Sequence, residues 1–138
     1  MHISRGRVVA SARSYIGTQF VWGGRTSNGV DCGGLVERVA NDLKVQYGDD
    51  LDYEMNPSGE DIIKRLSNGL WLKPGLSYRS GDVLVFWLNK IDIARHIGIA
   101  SPEGMIHTNS SVGRVCENSI GEFWGRRLMA VFQFPEIV

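Results

Sequence analysis

Three side chains in this sequence have the types and settings that nucleophilic catalysis requires: Cys32, His96 and His107. Cys32 follows a polar, glycine-rich stretch and opens an apolar-striped helix. That position puts a sulfur at a helix N-terminus, where unpaired amides and the helix dipole favour an anion. With an imidazolium nearby, such a setting lowers a cysteine pKa from about 8.5 to roughly 3.5–7.5, and the thiolate is the nucleophile. Gly33 and Gly34 follow directly; without Cβ atoms they let backbone and substrate approach, and amides near Cys32 can donate to a developing oxyanion. A base is then required, and the only histidines are His2, His96 and His107. His2 lies at the terminus. His96 and His107 fall in consecutive β-type runs, so a hairpin would bring them together and let His107 fix the tautomer of His96.

Other uses of the same side chains remain open. A lone cysteine is often a buried structural residue, and a strand histidine is often only hydrogen-bonded. Zinc could take Cys32, His96 and His107 as three ligands, although the close ligand pairs of most zinc sites are missing. Cys116, in the run 114–117, reads as packing, and two distant cysteines do not suggest a disulfide framework. Asp82 reads as shaping the turn before its strand, and Trp71, Phe86 and Trp87 as core or cleft wall.

The elements that must position these residues follow from periodicity. Val8, Val9, Ala12, Tyr15 and Ile16 recur at helical spacing, which predicts a helix over 4–16 closed by Gly17. Residues 18–31 predict a loop that packs its own aromatic pair, Phe20 and Trp22. From Cys32, the stripe Leu35, Val36, Val39, Ala40 and Leu43 predicts a helix facing the core. Ser58 reads as the N-cap of a third, short helix ending near Gly69. Short β-type runs follow at 82–87, 96–100, 105–108, 113–117 and 128–134. Helices first and a mostly antiparallel sheet afterwards define an α+β class.

With 138 residues and 43% apolar side chains, the chain can build the core of one domain, taken as 1–138. Fifteen basic and fifteen acidic residues cancel, so no overall field draws it to nucleic acid or anionic lipid. No run approaches the roughly 18 apolar residues of a membrane span, and the apolar run at 8–10 is too short for a signal-peptide core, so cytoplasmic synthesis is expected. No cofactor or metal is called for by any motif.

The segments 12–24, 29–36 (Gly29-Val30-Asp31-Cys32-Gly33-Gly34-Leu35-Val36), 80–86, 96–100 and 105–108 together resemble the NlpC-type peptidases, papain-like enzymes that hydrolyse amide bonds in bacterial cell-wall peptides. The resemblance covers most of the chain in family order. It implies a helix carrying the nucleophile Cys32 packed on a small antiparallel sheet carrying the base His96 and the third polar residue His107. It also implies a peptidoglycan stem peptide as substrate, with Asp31, Phe20, Trp22 and Gly33 around it, Asp31 engaging a free amino group. Two positions depart from the pattern: Phe20 stands where the family has Tyr, and Gly33 where it has Ser. The missing hydroxyl bears on rate and substrate, and Gln19 or the indole N–H of Trp22 could replace it.

The C-terminal run 122–135 further resembles a branch found in tail proteins of phages and phage-like gene transfer agents. It implies other tail proteins as partners and incorporation in a particle tail. Two alternatives to hydrolysis stand beside this: a structural tail-tip component that keeps the fold with little activity, and an acyltransferase using the same thiol.

Overall fold

The computed structural model describes residues 2–47, 60–89, 91 and 94–138. Helix α1, Arg5–Arg13, starts at Ser4, whose side chain accepts from the Arg7 amide. It ends three residues before the predicted 16. There the backbone tightens into three-residue bonds, Tyr15 to Ala12 and Ile16 to Arg13, while Ser14 Oγ donates to the Ser11 carbonyl. Gly17, at φ +96°, completes the stop. Tyr15 remains in the core, but Ile16 is exposed.

Strands β1 (Arg25–Thr26) and β2 (Gly29–Val30) form a small antiparallel hairpin inside the predicted loop. Helix α2, Cys32–Asp42, follows at once and buries Leu35, Val36, Val39 and Ala40 as the stripe predicts. Helix α3 is Glu60–Ser67; the predicted cap at Ser58 lies outside the described residues.

The six-stranded sheet has the order β3-β8-β4-β5-β6-β7, with every pair antiparallel. Its strands are β3 (Trp71–Leu72), β4 (Val83–Trp87), β5 (Ala94–Ser101), β6 (Gly104–His107), β7 (Cys116–Asn118) and β8 (Leu128–Gln133). Between β7 and β8 lies a five-residue helix, α4, Gly121–Gly125. Trp71 does not line the core. It sits on the two-residue edge strand and is 52% exposed. The run at 113–117 pairs as a strand only from Cys116, because residues 113–115 bond to the loop after α1. Gly113 accepts from the Phe20 amide, and Val115 exchanges bonds with Gly17 and Thr18.

Side chains alternate across the sheet. Val83, Val85, Ile97, Ile99 and Ile106 pack with α1 and α2 in the main core. Leu84, Phe86, Ala100, Met105 and Val131 form a second cluster on the opposite face, covered by Ile120, Trp124 and Leu128. Asp82, fully buried, ties the layers: it accepts from the Arg79 amide as the turn reading predicts, and also pairs with Arg5 at 2.9 Å and Lys73 at 2.8 Å. Among the described residues no helix is long and apolar enough to cross a membrane.

Candidate active site

The loop before α2 is clamped to it by Asp31. This N-cap residue accepts from the Gly34 amide at 2.7 Å and from the Gly23 amide at 2.9 Å. It is 2% exposed, so its carboxylate belongs to the framework beneath Cys32, a capping role that sequence reasoning missed. Gly34 is required sterically, since a Cβ there would meet the Gly24 carbonyl. Gly33 is buried in the first helical turn.

The Cys32 sulfur lies near the backbone amides of Gly33, of Cys32 itself and of Ile97 on β5, each of which favours its anion. Ile97 is the residue after His96, so α2 is seated with its N-terminus at the β5 position that carries the imidazole. A bulge in β5 at Arg95 adjoins this point, because Phe86 pairs with His96 and Trp87 with Ala94. His96 Nε2 is 2.9 Å from His107 Nδ1, because the β5–β6 register sets Gly98 against His107 and leaves His96 on the same face, diagonally across. His107 Nε2 in turn lies 2.9 Å from Asn118 Oδ1 on β7. Both histidines are 3% exposed.

Charge is unwelcome here. Burial, and then the negative charge of Asp31, pushes the Cys32 thiol up to about 12, against the lowering effect of the three amides. Burial, and then His107, lowers His96 to about 3, and burial also lowers His107, opposed by the bond to Asn118. Both shifts favour the neutral forms, thiol and imidazole. Burial thus works against the thiolate that the helix N-terminus favours. A neutral imidazole is still the form that can take a proton.

Two residues that sequence reasoning did not single out complete the surroundings of His96. Trp124 of α4 stacks on its ring, centroids 4.4 Å apart and planes 21° apart, and is itself packed on Phe86 and Phe123. Asn118 extends the line of polar groups. Tyr47, whose hydroxyl is held protonated mainly by burial, stands close enough to Cys32 to feel its charge. The remaining predicted contacts are more dispersed. Phe20 is half-buried, whereas Trp22 is 52% exposed. Among the described residues, no group of three His, Cys, Asp or Glu is arranged to hold a metal ion. His96 and His107 direct facing nitrogens at each other over 2.9 Å, which leaves no room for an ion between them.

A helix-borne cysteine set against a sheet-borne imidazole on an α+β scaffold is the arrangement of nucleophilic cysteine catalysts. The NlpC/P60 family model matches residues 17–133, and the chain belongs to that family. It is 24% identical over 127 residues to the murein DD-endopeptidase MepS/murein LD-carboxypeptidase of Escherichia coli K12, covering 89% of this chain and 59% of that protein. The chain thus spans about three fifths of the curated relative it matches. Among solved structures, it is similar to the NlpC/p60 domain of the peptidoglycan hydrolase SagA, with 26% identity, a TM-score of 0.68, and coverage of 96% of this chain and all of that one. An NlpC/P60 family protein of Bacillus cereus shares the fold at a TM-score of 0.75 and 14% identity, over 97% of this chain and 41% of that one. The fold is accordingly the α+β fold expected from the sequence.

Proposed function

We propose that the protein is a cysteine peptidase that hydrolyses amide bonds in peptidoglycan stem peptides, with Cys32 as nucleophile, His96 as general base and His107 as the residue that orients His96. The observation that carries this is the nearness of the Cys32 sulfur, at the start of α2, to the amide of Ile97, the residue that follows His96 on β5. The family and the likeness to murein hydrolases support the choice of substrate.

Catalysis then runs through two displacements. The Cys32 sulfur attacks the amide carbonyl carbon while its proton passes to His96. Amides of Cys32 and Gly33 hold the resulting oxyanion. His96 returns the proton to the leaving amine, the C–N bond breaks, and a thioester to Cys32 remains. Water, deprotonated by His96, attacks that thioester and releases the acid and the free thiol. Incubation with purified peptidoglycan and mass spectrometry of the soluble fragments tests the reading. New peptide termini are expected with the native protein and none with Cys32→Ala; cleavage by Cys32→Ala at the native rate would overturn it.

A place in the tail of a phage or gene transfer agent, with other tail proteins as partners, is a narrower proposal. It is motivated by the resemblance of the run Glu122 to Pro135 to that branch. Proteomic analysis of purified particles checks it.

A further inference from the structure

The hydrogen-bonded line behind His96 runs one residue further than a triad. Asn118 is a neutral amide whose Oδ1 lies 2.9 Å from His107 Nε2 and whose Nδ2 donates to Cys116 Sγ at 3.7 Å. The β6–β7 register sets His107 against Cys116 and brings Asn118 to His107 diagonally. We propose that Asn118 is a positioning residue that sets the tautomers of both histidines, making the catalytic group a relay of four: Cys32, His96, His107 and Asn118. This inference rests on the catalytic reading above.

The argument follows the donors. With Asn118 Nδ2 turned to a sulfur acceptor, its Oδ1 faces His107 and can only accept, so His107 carries its proton on Nε2. Its Nδ1 is then a lone pair, 2.9 Å from His96 Nε2, and must accept from an N–H there. His96 is thereby left with Nδ1 unprotonated, the nitrogen available to take the Cys32 proton. An amide turned the other way would reverse every donor in the line and place a proton on His96 Nδ1, where a base is needed. An asparagine alone can do either; the orientation with Nδ2 toward the Cys116 sulfur is the productive one. Asn118 also opposes the burial that depresses His107. The titratable groups facing this line are Cys32 from α2, Cys116 on β7 and Arg114 near it; Trp124 of α4 brings none.

Imidazole tautomers can be read directly by long-range ¹H–¹⁵N NMR of the native protein, assigned with single His variants, and activity is then compared in Asn118→Ala and Asn118→Asp. His107 and His96 should both be Nε2-protonated in the native protein. Asn118→Ala should mix the tautomers and lower kcat about 3- to 10-fold with KM unchanged, the scale of one neutral hydrogen bond. Asn118→Asp can only accept, so it should keep the tautomers, keep more activity than Asn118→Ala, and move the acid limb of kcat/KM to higher pH by favouring a protonated imidazole. A native His107 protonated on Nδ1, or an Asn118→Ala protein with unchanged tautomers and kcat, would overturn the proposal. Failure of the catalytic reading is separate: Cys32→Ala would then retain hydrolysis whatever the tautomers.

Discussion

The indole of Trp124 lies nearly parallel to the imidazole of His96, 4.4 Å away between centroids. Phe86 and Phe123 hold that indole from two further sides, at 5.2 and 4.9 Å, and Arg127 stacks on Phe123 at 3.9 Å. One face of His96 is thereby covered by the indole.

Trp124 should matter most when His96 becomes a cation during the reaction. A ring stacked on a desolvated cation contributes roughly 0.5–2 kcal/mol. Trp124→Ala should lower kcat by about 3- to 30-fold with KM little changed, and Trp124→Phe should retain most of the rate. Steady-state kinetics on one defined peptide, with thermal melts of each variant, decide between this and simple unfolding: a Trp124→Ala protein with normal kcat removes the role.

The raised thiol pKa predicts sluggish alkylation. In a Cys116→Ser background, which leaves one thiol, the rate of iodoacetamide modification should climb steadily from pH 6 to pH 10, because the thiolate fraction rises throughout while the pKa lies near about 12. A plateau reached below pH 7 would instead demonstrate a preformed thiolate–imidazolium pair.

Burial of His96 also links stability to pH. Its pKa is near about 3 when folded against the ordinary 6.5, so between those values the unfolded chain binds more protons. Stability is full above about pH 6.5 and declines as pH falls, by about 2 kcal/mol at pH 5 from this residue. Urea unfolding at pH 7 and pH 5 measures the difference, and His96→Gln should shrink it, since carboxylate contributions are common to both proteins. An identical pH dependence in His96→Gln would rule out the buried neutral histidine.

The parts of this site legible in the sequence are those encoded locally. A Gly-rich loop running into the stripe from Leu35 to Leu43 marks the helix that Cys32 opens, and two histidines in adjacent β-type runs mark a hairpin pair. Asn118 and Trp124 carry no such mark. Asn118 is one polar residue on a three-residue strand, and Trp124 sits on a five-residue helix bounded by Gly121 and Gly125, too short for a periodic signal. Their roles arise from sheet register and from packing on the second face. The same holds for the thiol: its helix position argues for an anion, and only the three-dimensional burial opposes it.

Phe20 is the departure with the sharpest consequence. Its backbone is pinned by a bond from its amide to the Gly113 carbonyl at 2.9 Å and by a bridge to Val30, so the loop already has its place independent of any side-chain hydroxyl. Gln19, a candidate to replace the missing donor, directs its side-chain amide to the Asn28 carbonyl at 3.1 Å. The amides of Cys32 and Gly33 remain as donors for the oxyanion. Losing one such donor typically costs about 10²- to 10³-fold in turnover, which sets the upper limit of what a restored hydroxyl could return. Phe20→Tyr should therefore raise kcat on a stem peptide with a smaller change in KM, since the new bond would be strongest in the transition state. Kinetics of the two proteins on the same peptide provide the measurement. An unchanged or lowered kcat would mean that the half-buried ring is part of a pocket built around phenylalanine, and that the oxyanion is held by backbone amides alone.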